Sequence, residues 1–307
     1  MTWLAWRQFR AQAAMAAVAT LAVTIVLVVT RSHIAGLPDP GNLSTGYQSL
    51  RLLGTGLIGV PAFVGAFWGA PLLARELEAG THRLAWTQSV TRARWLGVKL
   101  GIAGAVTIVV TAVFSLVFTW WSVPFDHIGN RIGTANFGQR GVAPIGYAIF
   151  ALVLGTLLGA VTRRTLPAMA ATLVGFFVVR FGVQLVVRPH LLAPVTASRP
   201  TTLFGPQELS SPTTGAWVLS TKTADAAGHV VSSGAVDRAL AGACNLTRQS
   251  TGDDFAACAK RLGFHDVVRM QPGSRFWALQ GWETAIFLAL AAVLAGACFW
   301  WIRHRTA

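Results

Sequence analysis

The sequence is short of lysine, of acidic residues and of every common catalytic signature. Lysine occurs only at Lys99, Lys222 and Lys260, and aspartate and glutamate together number 11 in a chain of 307 residues. Charged residues make up 12% of the chain and apolar residues 53%, about half the charge of an ordinary soluble domain (~25%). No Gly-x-Ser-x-Gly elbow is present, which argues against a serine hydrolase of that kind. His-Glu-x-x-His is absent, and so is the Gly-x-x-x-x-Gly-Lys-Ser/Thr loop, so this chain has no zincin site and no P-loop for ATP. Cysteine is limited to Cys244, Cys258 and Cys298, with no His or Cys at zinc spacing around them. The net charge of +14 comes without a basic helix or an aromatic-rich sheet motif. It is spread over short segments between apolar runs, the pattern of membrane loops rather than of a nucleic-acid binder. No nucleic-acid partner is expected, and the chain is not expected to be an enzyme.

What the chain has instead is apolar runs of about 20 residues, enough to cross the hydrocarbon core as a helix. Six occur: Ala11–Thr30, Leu52–Leu73, Leu100–Trp121, Val142–Val161, Leu166–Val187 and Phe276–Ile302. Ahead of the first lies MTWLAWRQFR, in which Trp3, Leu4, Trp6 and Phe9 alternate with Arg7, Gln8 and Arg10. That pattern predicts a short amphipathic helix lying in the membrane interface. It lacks a signal-peptide cleavage site, so it is expected to stay in the mature protein. Two spans carry small-residue pairs, Gly65-x-x-x-Gly69 and Gly155-x-x-x-Gly159. Such spacing lets helices approach closely, and it also arises by chance in a chain with 31 glycines.

Between the fifth and sixth spans lies a long polar segment. Trp217–Lys222 and His229–Ser232 read as short strands around a turn at Asp225–Gly228. Asp253–Leu262 reads as a helix capped by Thr251 or Asp253 and ended by Gly263. The fold class expected is an all-α polytopic membrane protein. It has six transmembrane helices, an amphipathic N-terminal helix, and a small α+β extracellular module between the fifth and sixth helices. The boundaries are 1–10 for the N-terminal helix, 11–187 for the first five spans with a cytoplasmic loop at 74–99, 188–275 for the module, 276–302 for the sixth span and 303–307 for the tail.

Orientation follows from the basic residues in short flanks. With the N-terminus inside, the inner segments hold Arg7, Arg10, Arg75, Arg83, Arg92, Arg94, Lys99, Arg163, Arg164, Arg303 and Arg305. Nine of the 11 acidic residues then lie outside or in the outer half of a span. Both termini are cytoplasmic on this reading, and the module is outside. There Cys244 and Cys258 read as a disulfide, with two free thiols as the alternative.

The loop LARELEAGTHRLAWTQSVTRARWLGVK, residues 73–99, is the densest mixture of charges in the first half of the chain. By charge alone it fits a solvated loop. Glu76 and Glu78 precede a Gly80-Thr81 break, then Arg83, a short amphipathic stretch Leu84–Val90, and Arg92, Arg94 and Lys99 leading into the third span. This arrangement resembles the first cytoplasmic loop of ABC transporter permeases of the type-2 exporter family. Gln271-Pro272 and Arg275-Phe276-Trp277 further resemble actinobacterial members, and the scarcity of lysine beside arginine fits a high-GC genome. Family members often carry a proline where this chain has Gln88-Ser89-Val90. The resemblance implies a plasma-membrane permease that pairs with a second permease chain, as a homodimer or a heterodimer, and with two ABC ATPase subunits. ATP and Mg would be held by those partners and no cofactor by this chain. It implies export of a lipid, drug or peptide-like substrate, with Glu76, Glu78, Gly80, Thr81, Arg83, Arg92, Arg94 and Lys99 forming the ATPase-coupling loop.

Two charges lie within spans. Arg180 is seven residues from the end of the fifth span and Glu283 seven residues into the sixth, so at 1.5 Å per residue they share a depth. An intramembrane ion pair is expected, because a charge at a span's centre costs about 2.5–3.5 kcal/mol on insertion scales and seeks a partner. The other reading is that Arg180 binds an anionic substrate group. For the whole chain the competing function is an ATP-independent carrier, or a membrane-anchored sensor whose outer module binds a ligand. A carrier would usually show internal repeats, and none is evident.

Overall fold

The computed structural model describes residues 2–35, 56–80, 91–123, 132–133, 137–200, 215–244 and 252–305. These fall into two compact units: one within Met1–Ile128, Thr134–Arg188 and Trp277–Ala307, the other within Gly129–Gly133 and Pro189–Phe276.

The first unit is helical. α1 is Thr2–Ala35. α2 runs Leu57–Glu78, α3 Arg92–Ser122, α4 Ala143–Thr162, α5 Thr165–His190 and, after the second unit, α8 Phe276–His304. Among the described residues, six helices are long and apolar enough to cross a membrane. The segment expected to form a separate interfacial helix, residues 1–10, continues from Thr2 into the first span. The reason is local: no glycine or proline interrupts Thr2–Ala35, so nothing ends the helix at Arg10. The loop expected at 74–99 is also shorter, because α2 extends to Glu78 and α3 begins at Arg92. Leu73, Ala74 and Leu77 are buried, and this apolar face holds the last turns of α2 in the helix.

α1 and α3 run parallel: Ala13 and Ala16 pack near Ala103 and Val106, while Leu27 packs with Phe114, Phe118 and Trp121 further along. The Trp121 indole donates to Thr30 Oγ1 at 3.0 Å. α2 and α4 also run parallel and meet along a glycine seam. A Cβ built on Gly69 would overlap the Leu152 carbonyl, one on Gly155 the Gly65 carbonyl, and one on Gly159 the Ala70 carbonyl. Both small-residue pairs therefore belong to one contact. Within that contact α2 has a π-helical turn, Gly65–Gly69.

The second unit holds a three-stranded antiparallel sheet of order β1-β3-β2. β1 is Val195–Pro200, β2 Trp217–Ala224 and β3 His265–Gln271. Two helices, α6 (Ser233–Ala243) and α7 (Gly252–Arg261), lie between β2 and β3 in sequence. β2 and α7 lie near the expected positions. The second expected strand is a single bridge, Val230 to Ala224, and β1, β3 and α6 are additional. Gly263, with φ +78°, ends the turn after α7. Cys244 and Cys258 form a disulfide with Cα atoms 6.4 Å apart. They join α6 and α7 around a small core of Val236, Leu240 and Ala259, flanked by Phe255 and Phe264. Closing a loop of about 15 residues stabilises by about 3 kcal/mol in the chain-entropy account.

At the β2 turn, Asp225 accepts from the His229 amide at 2.8 Å and the Ala227 amide at 3.0 Å. The His229 amide bond is the main reason its pKa lies below the ordinary aspartate value. A depressed folded pKa means stability that is present at neutral pH and lost as pH falls through that value. Amide protection across 223–231, taken relative to the intrinsic exchange rate at each pH, should accordingly fall below about pH 4 in the native chain. An Asp225→Ala variant should show the lower protection already at neutral pH.

Candidate functional site

Two charged clusters stand out in the helical unit. The first gathers the end of α2, the start of α3, the turn between α4 and α5 and the end of α8. Gly80, at φ +71°, adopts the left-handed conformation that stops α2. The Ala79 amide donates to the Arg75 carbonyl at 3.0 Å. Thr91 caps α3, its side chain accepting from the Arg94 amide at 3.3 Å.

The two glutamates at the end of α2 face different partners. Glu76 pairs with Lys99 at 2.5 Å, and Lys99 is largely buried with its ammonium 4.7 Å from the Trp95 ring centre. Glu78 reaches α5: Oε2 accepts from the Thr165 amide at 3.1 Å and the Thr165 hydroxyl at 2.8 Å. A carboxylate at a helix N-terminus satisfies an orphan amide and complements the helix dipole. Opposite charge meets opposite dipole at α8. Arg163 donates to the Arg305 carbonyl at 2.9 Å, and Arg92 to the Ile302 carbonyl at 3.4 Å. Leu73, Leu77, Trp95, Leu96, Ala160, Cys298 and Ile302 pack beneath these contacts. The cluster is thus a clamp, tying the end of α2 to α3 through Glu76–Lys99 and to α5 through Glu78–Thr165. Among the sequence-selected residues, Glu76, Glu78, Gly80, Arg92, Arg94 and Lys99 lie at this end. Thr81, Arg83 and the stretch Leu84–Val90 lie outside the described residues.

The second cluster is buried in the helix bundle. Glu283 on α8 is fully buried. Arg180 of α5 lies 3.3 Å from its Oε1. Arg188 binds it with two donors, Nε to Oε2 at 2.6 Å and Nη2 to Oε1 at 2.9 Å. The Tyr147 hydroxyl of α4 donates to Oε1 at 2.6 Å. Two guanidiniums face one carboxylate, so one positive charge is not neutralised by an acid within this group. Aromatic faces offset part of that excess: Arg180 lies 4.2 Å from the Tyr147 ring centre and Arg188 4.1 Å from that of Phe137.

Arg188 and Tyr147 are absent from the sequence-selected set. Arg188 reads as the first loop residue when the span is ended at Val187. In an unbroken helix, eight residues at about 100° each would leave it roughly 80° off the Arg180 face. The π turn Val183–Val187 inserts a wider turn and brings Arg188 back toward Glu283. Tyr147 carries one signal in hindsight: it is one of only two tyrosines in the chain and sits inside an apolar span.

These features define a polytopic helical membrane protein with six candidate spans and a disulfide-bonded α/β unit inserted before the last. Residues 17–188 match the sequence model described as ABC-2 membrane transporter related, and the chain belongs to that family. The match ends where the longer segment of the second unit, Pro189–Phe276, begins. No curated protein and no solved structure matches the chain.

Proposed function

We propose that this chain is the membrane-spanning permease subunit of an ATP-driven exporter, moving a lipid, drug or peptide-like substrate out of the cell. A separate ABC ATPase binds at the clamp end of the bundle and holds the ATP and Mg. The observation that carries this reading is the clamp itself. Glu76 and Glu78, at the end of one helix, are each fastened to a different helix, so a push on the chain after Gly80 moves three helices together. The concentration of Arg75, Arg92, Arg94, Lys99, Arg163, Arg164, Arg303 and Arg305 at that end supports placing it in the cytoplasm. On that orientation both termini are cytoplasmic, residues 188–275 are extracellular, and the disulfide lies in an oxidising compartment. A second permease chain completes the translocation path.

The test is to co-express the chain with candidate ABC ATPases of its source genome and purify in mild detergent. The wild-type complex should hydrolyse ATP. A Glu76→Ala/Glu78→Ala variant should keep the ATPase bound yet hydrolyse more slowly. A variant with unchanged hydrolysis and unchanged transport would remove the clamp from the mechanism.

A further inference from the structure

The Pro189–Phe276 segment of the second unit lies beyond the residues that match the family, and it contains a cleft of about 540 Å³. That volume is in the range that holds small molecules, about 300–1,000 Å³. Its floor is a row across the sheet. Arg199 of β1 is in register with Asp266 of β3, and Asp266 with Thr223 of β2. Registered residues of neighbouring strands share one face, so the three side chains stand together at the base of the cleft. Thr223 Oγ1 donates to Asp266 Oδ1 at 3.0 Å. Arg199 Nε lies 3.8 Å from Asp266 Oδ2, within ion-pair range and beyond a hydrogen bond. Both charged side chains are mostly shielded from solvent, at 10% and 4% exposure.

The walls come from the chain as it turns back along β2, where the Val231 amide donates to the Thr223 carbonyl at 2.9 Å. Val230 is 62% exposed and contributes an apolar rim. Lys222 and Ser233 complete the lining, Ser233 at the first turn of α6. The cleft therefore presents an anchored cation and an anchored anion side by side, with an apolar wall. A simple anion would use Arg199 and be repelled by Asp266, and a simple cation the reverse. A molecule with a carboxylate and an ammonium on the same carbon matches both.

We propose that this cleft binds a free α-amino acid with an apolar side chain. Its carboxylate sits on Arg199, its ammonium on Asp266, and its side chain along Val230. This assignment stands independently of the transport reading, because binding can be measured on the purified full chain without ATP or an ATPase.

The experiment is calorimetric or radioligand binding of leucine to the full chain in detergent, with N-acetyl-leucine, leucinamide and inorganic phosphate as comparison probes. Leucine should bind saturably, and the acetylated and amidated forms should each bind at least about tenfold more weakly, as expected when one buried charge loses its partner. Arg199→Gln and Asp266→Asn should each weaken leucine binding by a similar factor. Because those two residues are buried in the sheet, Val230→Glu at an exposed position serves as a variant that leaves the fold intact. It should weaken leucine binding with no change in thermal transition. No saturable leucine binding by folded, disulfide-bonded protein would overturn the proposal. So would equal binding of N-acetyl-leucine, binding of phosphate alone, or full leucine affinity in the Val230→Glu variant.

Discussion

Glu283→Ala is expected to leave almost no folded protein in the membrane. The change removes the only acid, among the described residues, facing Arg180 and Arg188, which are 2% exposed and fully buried respectively. Attraction within such a group roughly offsets the desolvation of its members, so the intact cluster adds little net stability. Removing one partner is different, because the remaining charges stay buried and uncompensated, at a cost of about 3–5 kcal/mol. Here two guanidiniums lose the same partner, and Tyr147 loses its acceptor. Against a total stability of about 5–15 kcal/mol, that is enough to depopulate the fold. Glu283→Gln retains oxygen and shape and should be milder, though still strongly destabilising. Removing the charges together, as Glu283→Leu with Arg180→Leu and Arg188→Met, should recover folded protein. The readout is fluorescence-detected size-exclusion of detergent extracts with a thermal ramp. Normal yield and melting for Glu283→Ala would mean the cluster does not support the bundle. If the triple variant folds but does not transport, the arginines act on substrate and not only on Glu283.

The second large effect is expected at the glycine seam. Gly155→Leu should prevent α2 and α4 from packing, because even a Cβ at this position would overlap the Gly65 carbonyl. In a bilayer, helix association depends on close packing rather than on expulsion of water, so a forced separation has nothing to offset it. Overpacking in a soluble core typically costs about 1–3 kcal/mol. Here the obstacle is backbone along a whole contact, so the loss should be at least at the upper end. Gly155→Ala should already reduce the melting temperature. Gly101→Ala and Gly104→Ala, where no neighbouring atom lies within 4 Å, should have little effect and serve as matched controls within a span. Thermal stability of the purified chain measures all four. Equal melting of Gly155→Leu and the controls would contradict the seam.

Much of the architecture is legible in the sequence because the bilayer imposes it. A helix must be apolar for about 20 residues or it does not span, so the six spans are visible before any contact is known. Helix ends are less legible. Charges such as Glu76 and Glu78 mark where a chain meets polar surroundings, and they do not mark where the helix stops. α2 therefore runs on to Glu78, and these glutamates act from a helix end rather than from a loop. The seam shows a similar limit: each glycine pair alone is ambiguous, and only the parallel packing of α2 on α4 reveals that they face each other. Arg188 is hidden for a backbone reason, since a π turn changes the face a residue occupies without any distinctive residue type to announce it. In the second unit, β3 carries Asp266 and Arg269 among its apolar residues, which weakens the strand pattern. α6 is only 11 residues long with Gly234 and Gly242 near its two ends, and a helix this short is marginal by itself, so it is the packing of Val236 and Leu240 that secures it.

The central claim is that this chain works as a permease driven by a separate ATPase docked at the clamp end. The most direct test is native mass spectrometry of the chain co-purified with its candidate ATPase, with and without non-hydrolysable ATP. The account predicts an assembly of two membrane chains and two ATPases, held together by contacts that a cross-linker placed at Gly80 captures. A membrane chain that purifies with no ATPase bound, under conditions where it is folded and its Cys244–Cys258 disulfide is intact, would contradict it.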